Sequence, residues 1–279
     1  MKWIRKILWL VLGLCIALII LIHAGSAYMH YSTSDMKEVL PDAKVAIEFY
    51  GNTKVRTVYL DNQSDTLLVF VHGAPGSFDA FLSYIRDSSF QSYNLLAYDR
   101  PGYGESSSSP MPSIEKQSNI LLNIINKHPT NHVVLIGHSF GGPIAGYTTA
   151  VHPELIDKAI MIAPLLDPEN EPVFWFSYFA KWPVTRWLLT DDLRVSGTEK
   201  FEHAQALKEI EPYWKLLKRP ILHIHGGLDG LAPPVYNTEY SKRMIDNSYL
   251  DLRLYPKEGH LILWEEFELT KGLFLDFIR

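Results

Sequence analysis

A serine in a glycine-rich turn is the clearest sign of chemistry in this 279-residue sequence. Ser139 lies in the run Gly137–Gly142 (GHSFGG), which follows the apolar stretch Val133–Ile136 and precedes a helix-like stretch. A strand that turns abruptly into a helix leaves the central hydroxyl exposed on a strained bend, and the flanking glycines allow backbones to approach closely. The N–H of Phe140 lies at the predicted helix start, where it can stabilise an oxyanion. We therefore expect Ser139 to act as a nucleophile.

Two further turns give the chain a family resemblance. His72–Gly76 reads HGAPG after one apolar run, and Asp99–Ser106 reads DRPGYGES after the next. Together with G-x-S-x-G in its strand–turn–helix context, these turns make the chain resemble the α/β-hydrolase family over about residues 45–279. The resemblance implies that the N–H of Ala74 is a second oxyanion donor beside that of Phe140. For the second turn we favour a structural role that holds the loop.

A nucleophilic serine needs a base to take its proton and a carboxylate to orient that base. Of the eleven histidines, His260 follows the last predicted strand and precedes the closing helix, where the chain order Ser…Asp…His places the base. Asp229 follows the penultimate strand in Gly226–Pro234, which resembles the GxxDxxxP loop of the family and is expected to supply the acid. Asp167 stays open as the rival acid, because some family members carry the acid after the preceding strand.

The elements that must position these residues follow from the pattern of apolar runs. Continuous apolar runs predict strands covered on both faces, and their alternation with helix-like stretches predicts crossover connections. We therefore expect an α/β fold with a mostly parallel eight-stranded sheet, helices on both faces and an antiparallel hairpin of the first two strands. The predicted strands are Val45–Tyr50, Val55–Leu60, Leu67–Val71, Asn94–Tyr98, Val133–Ile136, Ala159–Ile162, Ile221–Ile224 and Leu252–Tyr255. The predicted helices are Phe78–Arg86, Ser113–Lys127, Phe140–His152, Val235–Met244 and Leu261–Ile278.

Residues 167–218 interrupt this alternation with a stretch rich in tryptophan, phenylalanine and proline. The stretch predicts a helical insertion, which we expect to form a lid over Ser139 and to favour apolar acyl or alcohol groups. Packing onto the core is the favoured interpretation for most of its aromatic residues, and contact of exposed tryptophans with a bilayer is an alternative. Its acidic residues could bind the amine of a substrate, which is a further alternative. These residues are Asp191, Asp192, Glu199 and Glu202.

The N-terminus carries a candidate membrane segment. Ile7 to Ala27 contain no charged side chain, and three basic residues precede them. A spanning helix needs about 20 apolar residues, and the positive-inside rule predicts a cytoplasmic N-terminus with the body on the non-cytoplasmic side. We favour a single-pass signal anchor in residues 1–30, followed by the hydrolase domain in residues 31–279. The alternative is a signal peptide cleaved near the small residues 24–27, which would leave the body secreted or periplasmic.

Composition excludes several other classes. A chain that is 47% hydrophobic and 20% charged is typical of a globular protein. One cysteine permits neither an internal disulfide nor a cysteine-based zinc site. The net charge of −5 argues against a nucleic-acid partner.

His223 and His225 share one face of a predicted strand and raise a metal site as an alternative. No further metal motif accompanies them, so we expect no metal and no cofactor. One of the pair is expected to be a neutral core histidine beneath the active-site loop.

These observations predict a serine hydrolase that cleaves a carboxylic ester, or a related acyl bond, through an acyl-enzyme on Ser139, His260 and Asp229. The expected partners are a small, apolar, ester-like substrate and a membrane. The alternatives are an aminopeptidase or a cofactor-free perhydrolase on the same triad, and a non-catalytic ligand-binding member of the fold. Within the family resemblance, a serine nucleophile argues against dehalogenase and epoxide hydrolase activity.

Overall fold

A computed structural model describes residues 2–107 and 109–279 of the chain. Eight strands form one sheet: β1 Lys44–Tyr50, β2 Thr53–Leu60, β3 Thr66–Val71, β4 Asn94–Tyr98, β5 His132–His138, β6 Lys158–Ile162, β7 Ile221–Gly226 and β8 Leu250–Tyr255. Their order in the sheet is β1-β2-β4-β3-β5-β6-β7-β8. Only the pairings β1–β2 and β2–β4 are antiparallel among the described strands. The predicted mostly parallel sheet with an antiparallel hairpin at one edge is confirmed.

The described α-helices are α1 Lys2–Met29, α2 Met36–Val39, α3 Leu82–Arg86, α4 Ile114–Ile125, α5 Gly141–Val151, α6 Tyr178–Lys181, α7 Pro183–Arg186, α8 Asp191–Ile210, α9 Pro234–Met244, α10 Ile262–Glu265 and α11 Phe267–Ile278. Local sequence sets several of their ends. The hydroxyl of Ser113, for example, accepts a hydrogen bond from the N–H of Lys116 and caps α4. The closing helix differs from the prediction. It is divided into two helices, α10 and α11, which are separated at Glu266.

The central strands of the sheet are buried on both faces, as their continuous apolar sequences predict. In β3, Leu67 and Val69 contribute to one hydrophobic cluster, whereas Leu68 and Phe70 contribute to a second cluster on the other face. Successive strand residues point to opposite faces, so each strand serves two layers of helices at once. The carboxyl ends of the parallel strands therefore form one rigid edge that can carry a site.

The insertion between β6 and β7 contains α6, α7 and α8 and no described strand. Glu199 of α8 is buried and accepts hydrogen bonds from Arg100 Nη1 at 3.0 Å and from the Tyr103 hydroxyl at 2.6 Å. A buried, fully hydrogen-bonded ion pair of this kind fixes the geometry of the elements that it joins. This pair fastens the insertion to the turn that follows β4.

Fewer aromatic residues of the insertion pack onto the core than we expected from the sequence. Trp214 is buried against α5 and contributes to the core. Trp175, Trp182 and Trp187 are instead exposed. Composition alone cannot show which aromatic side chains are buried against another element. Their exposure could be determined only from the folded structure.

The N-terminal helix is long and apolar enough over Lys2–Gly25 to cross a membrane, a property that signal sequences share. Its far end contacts the body. His23 Nε2 lies 3.0 Å from the carbonyl oxygen of Leu188 in the insertion. His30, just past the helix, lies 3.0 Å from Asp192 and 2.9 Å from the hydroxyl of Ser77.

Candidate active site

Ser139 lies on the sharp turn between β5 and α5. Its φ of +53° is in the left-handed region that non-glycine residues rarely adopt, and its N–H donates to the carbonyl of Ile162 at 2.9 Å. A Cβ on Gly137 would collide with the carbonyl of Gly141, and one on Gly141 would collide with the carbonyl of Val71. The two glycines of the motif are therefore required by close backbone packing, as the sequence indicates.

Three residues separated widely in sequence meet at this turn. His260 Nε2 lies 3.1 Å from the Ser139 hydroxyl, and His260 Nδ1 lies 2.8 Å from Asp229 Oδ2. An ionised carboxylate can only accept, so Nδ1–H donates to Asp229 and Nε2 is left to accept the serine proton. The structure therefore brings together Ser139, His260 and Asp229 in the arrangement of a serine, a general base and an orienting acid.

The carboxylate of Asp229 is held in its ionised form. Burial by itself would raise its pKa, but hydrogen bonds from His225 and His260 outweigh this effect and hold the pKa well below its usual range. Oδ1 also accepts the N–H groups of Leu231 at 2.9 Å and Ala232 at 2.7 Å. The acid is thus fixed by its own loop and stays charged at neutral pH.

A chain of buried histidines lies behind the acid. His225 Nε2 lies 2.7 Å from the carbonyl oxygen of Ala232 and 3.4 Å from Asp229 Oδ2, and His225 Nδ1 lies 2.9 Å from His223 Nε2. Burial lowers the pKa of His223, so the ring is neutral, and its Nδ1 lies 2.8 Å from the hydroxyl of Ser241. These contacts place the pair beneath the acid loop. Among residues 2–107 and 109–279, no group of three or more His, Cys, Asp or Glu side chains is placed to hold a metal ion.

The rival acid Asp167 has a different environment. Its carboxylate accepts the N–H of Glu169 and the side-chain amide of Asn170, both at 2.9 Å. It forms no hydrogen bond to His260 within the described residues. The geometry therefore favours Asp229 as the partner of the base.

Two side chains fix the peptide that joins Gly73 to Ala74 by contacting its carbonyl oxygen. The carbonyl oxygen of Gly73 lies 2.7 Å from His72 Nδ1 and 3.0 Å from Arg100 Nη2. Burial, together with the charge of Arg100, lowers the pKa of His72 and keeps its ring neutral. The Gly73 carbonyl and the Ala74 N–H belong to one planar trans peptide and point in opposite directions. Fixing the carbonyl therefore fixes the direction of the N–H. Neither this N–H nor that of Phe140 has an acceptor among the described residues.

Two cavities meet at Ser139 and His260. The first, of about 420 Å³, runs beneath the insertion and is lined mainly by apolar side chains that include Phe174, Phe176 and Leu193. The second, of about 780 Å³, runs toward the N-terminal helix. Its walls include Leu21 and Gly25 of α1 and Trp264 of α10, as well as the charged residues His30, Asp79 and Asp192.

The acids of the insertion have partners outside the reacting centre. Glu199 is bound to Arg100, Asp191 pairs with Arg194, and Asp192 pairs with His30. Glu202 is exposed and lines a surface depression away from Ser139. None of the four is left as a free carboxylate in the cavity beneath the insertion, so their arrangement does not favour a grip on a substrate amine.

Known proteins resemble this chain in sequence and in fold. Residues 66–192 match the family model of the alpha/beta hydrolase fold. An inferred esterase/lipase of Haemophilus influenzae is 33% identical over 96 residues, which are 34% of this chain and 33% of that protein. The chain thus spans about a third of the length of that relative. YugF of Bacillus subtilis, an uncharacterized hydrolase, is 25% identical over 264 residues, which cover 79% of this chain and 93% of that protein.

A solved structure resembles the whole chain. A bacterial membrane phospholipase A superposes with a TM-score of 0.65 at 21% identity and covers 100% of this chain and 99% of its own. The chain has the α/β-hydrolase fold, and residues 66–192 match the model of that family.

Some residues at the site carry no local sequence signal. His30 belongs to the N-terminal segment in sequence, yet it joins Asp79 and Asp192 at the second cavity. The partnership of Arg100 with Glu199 joins positions 99 residues apart. In both cases the meeting depends on how the insertion lies on the sheet, which the sequence pattern does not specify.

Proposed function

We propose that this protein is a serine hydrolase that cleaves a carboxylic ester through a covalent acyl-enzyme. The observation that carries the proposal is the hydrogen-bonded series Ser139–His260–Asp229 at the meeting point of two cavities. Ser139 is the nucleophile, His260 is the base and Asp229 holds the imidazole tautomer. The backbone N–H groups of Ala74 and Phe140 form the oxyanion hole.

The reaction follows from these positions. The Ser139 hydroxyl attacks the ester carbonyl carbon while His260 Nε2 takes its proton, and Ala74 and Phe140 donate to the resulting oxyanion. His260 then returns the proton to the departing alkoxide, which leaves as the alcohol and gives the acyl-enzyme. A water molecule deprotonated by His260 attacks that acyl group, and collapse releases the carboxylic acid and restores the Ser139 hydroxyl.

The cavity beneath the insertion supports an apolar acyl group. Its walls include Phe174, Phe176, Leu165 and Leu193, and it ends at the nucleophile. Apolar walls with a few placed polar groups are typical of small-molecule sites. We therefore expect turnover of aliphatic esters to rise as the acyl chain lengthens until the cavity is filled.

The N-terminal helix is proposed to be an uncleaved, single-pass anchor, with the body on the non-cytoplasmic side. The contacts of His23 and His30 with the body support retention of the segment, since it forms part of the second cavity wall. Alkaline carbonate extraction and the mass of the N-terminal peptide test retention. Protease added to the outside of intact cells tests the side, since it should digest the body.

Fluorophosphonate labelling of the full-length chain in detergent tests the catalytic proposal. The wild type should form one adduct, and both Ser139→Ala and His260→Ala should lose it. A panel of p-nitrophenyl esters of rising chain length then measures the acyl preference. The same panel with added hydrogen peroxide distinguishes a perhydrolase, because peroxide would then replace water as the preferred acceptor. A folded wild type that forms no adduct would contradict the proposal.

A further inference from the structure

The insertion exposes eight large apolar side chains within one short segment. We define the lid tip as residues 172–190. It exposes Val173, Trp175, Phe176, Tyr178, Phe179, Trp182, Val184 and Trp187. Trp175 and Trp187 are 74% and 69% exposed, so these rings are not packing the insertion onto the core. Scattered apolar residues are normal on a protein surface, whereas a contiguous patch of large side chains marks an interaction site.

The rings of the lid tip form one cluster. Phe179 lies between Trp175 and Trp182, with ring centroids 5.8 Å and 6.1 Å apart. Tyr178 lies 6.3 Å from Trp182 by the same measure. Trp175, Phe179, Tyr178 and Trp182 therefore form one aromatic cluster and are not isolated side chains.

This surface lies close to the N-terminal helix. The apolar run of α1 ends at Ile22, and the next residue, His23, contacts the carbonyl oxygen of Leu188. Leu188, near the end of the lid tip, thus lies at the level where the apolar run of α1 ends. His30 contacts Asp192 at the start of α8. Seven residues of helix rise about 10 Å, so α8 begins farther from the end of that run than Leu188 lies.

Charge agrees with this placement. Residues 172–190 contain no aspartate or glutamate, and their charged side chains are Lys181 and Arg186. Tryptophan and tyrosine concentrate at membrane interfaces, and basic residues favour anionic headgroups. A segment that combines aromatic and basic residues without acids fits a phospholipid surface better than an acidic or strongly polar protein surface.

We propose that the lid tip docks into the same bilayer that α1 spans, with its aromatic side chains in the interfacial layer. Phe176 and Phe179 are partly exposed on the lid tip and also line the cavity that leads to Ser139. Docking therefore places the wall of this cavity against lipid. If the protein hydrolyses esters as proposed above, this placement also indicates the substrate class. The substrate is an ester whose acyl chain enters the cavity from the membrane leaflet.

A depth measurement on the full-length chain tests the docking without requiring activity. Cys15 is the single cysteine, so Cys15→Ser permits one reporter at a time. The fluorophore NBD is attached at Val184→Cys on the lid tip, and at Ser248→Cys, an exposed site just before β8, as the matched control. The protein is reconstituted into vesicles of equal parts phosphatidylcholine and phosphatidylglycerol. Mixed orientation affects both reporters alike, because both positions follow α1 in the chain and lie on the same side of the bilayer.

Docking predicts that doxyl-labelled phosphatidylcholine quenches the lid-tip reporter strongly and the control weakly, whereas iodide does the reverse. Equal iodide quenching at both sites, with no doxyl quenching at position 184, would overturn the proposal. Protection from iodide without doxyl quenching would also overturn it, and would show a second copy or another protein on this surface.

A double variant separates docking from catalysis. Trp175→Ser with Trp187→Ser removes two exposed rings, neither of which lines a cavity at Ser139. We expect doxyl quenching at position 184 to fall, turnover of a soluble short ester to be unchanged, and turnover of a vesicle-embedded long-chain ester to fall about tenfold. Unchanged turnover of the embedded ester would overturn the assigned substrate class. Loss of all fluorophosphonate labelling in the wild type would refute the proposed function while leaving the depth result standing.

Discussion

Arg100 Nη2 lies 3.0 Å from the carbonyl oxygen of Gly73, on the far side of the peptide whose N–H faces the proposed oxyanion. The guanidinium is fully buried, and its Nη1 lies 3.0 Å from Glu199 of α8. The same side chain therefore touches the oxyanion turn and the insertion. We propose that Arg100 positions the Ala74 N–H and does not itself contact the substrate.

Arg100→Lys is accordingly expected to lower kcat by about tenfold or more, with a smaller change in KM. One ammonium cannot serve both Gly73 and Glu199, so the Ala74 N–H loses its fixed direction, and a whole oxyanion donor is worth about 10²–10³ in turnover. Steady-state kinetics on a soluble ester measures the effect. Arg219→Lys, which changes an arginine bound to the carbonyl of Pro153, is the control. A folded Arg100→Lys protein with wild-type kcat would refute this positioning role.

The choice between the two candidate acids is tested by a matched pair of substitutions. Asp229→Asn should reduce kcat by about 10⁴, because an amide no longer holds the imidazole in the required tautomer. Asp167→Asn should change kcat little, because that carboxylate only bonds to its own turn at Glu169 and Asn170. Burst and steady-state rates with a p-nitrophenyl ester measure both variants. The reverse order of effects would assign the acid to Asp167.

Close packing at the Ser139 turn makes Gly141 intolerant of a side chain, whereas Gly272 in α11 has open space around it. Alanine is therefore expected to have opposite effects at these two positions. Gly141→Ala places a methyl against the Val71 carbonyl and should abolish labelling of Ser139 or prevent folding. Gly272→Ala lies in α11 with nothing near its added Cβ, and should stabilise the protein by about 0.5–1 kcal/mol. Thermal unfolding and fluorophosphonate labelling check the pair. A fully active Gly141→Ala protein would contradict the close packing described for this turn.

His30 gives the stability a defined dependence on pH. Hydrogen bonds to Asp192 and Asp79 raise its pKa from 6.5 to about 10. Since the folded-state pKa is the higher one, the stabilisation is complete below about pH 6.5 and is lost progressively as the pH rises toward 10.

The Tm difference between the wild type and His30→Gln should therefore be large at pH 6 and small near pH 10. The exposed His132, at the opposite end of the sheet, provides the control, and His132→Gln should show a small difference. Scanning calorimetry in one detergent at each pH measures both variants. A Tm difference for His30→Gln that grows as the pH rises would show that the charged form of His30 does not stabilise the fold.

Local patterns accounted for the parts of the molecule that depend on local physics. Continuous apolar runs indicated the strands and their two-sided burial, and the Gly137–Gly142 motif indicated the bend at Ser139. His260 and Asp229 followed from their places after the last two strands. The structure then brought their side chains within hydrogen-bond distance. Their catalytic roles stay predictions until the variants are measured.

Long-range contacts account for what the sequence did not reveal. The neighbour of β2 is β4 and not β3, because sheet order depends on pairing between distant segments. The contacts of Glu199 with Arg100 and of His30 with Asp192 depend on how the insertion and the N-terminal helix lie against the body. The exposure of Trp175 and Trp187 likewise depends on which surfaces those elements leave uncovered.

Trapping the acyl-enzyme tests directly whether Ser139 is the nucleophile. Full-length protein is mixed with a p-nitrophenyl ester, quenched in acid within the first turnover, and digested for mass spectrometry. An acyl-enzyme mechanism predicts a burst of p-nitrophenol equal to the protein concentration and one acyl group on the peptide that carries Ser139, both absent in Ser139→Ala. Ester turnover that persists in Ser139→Ala, or that leaves no acyl group on the wild-type peptide, would contradict it.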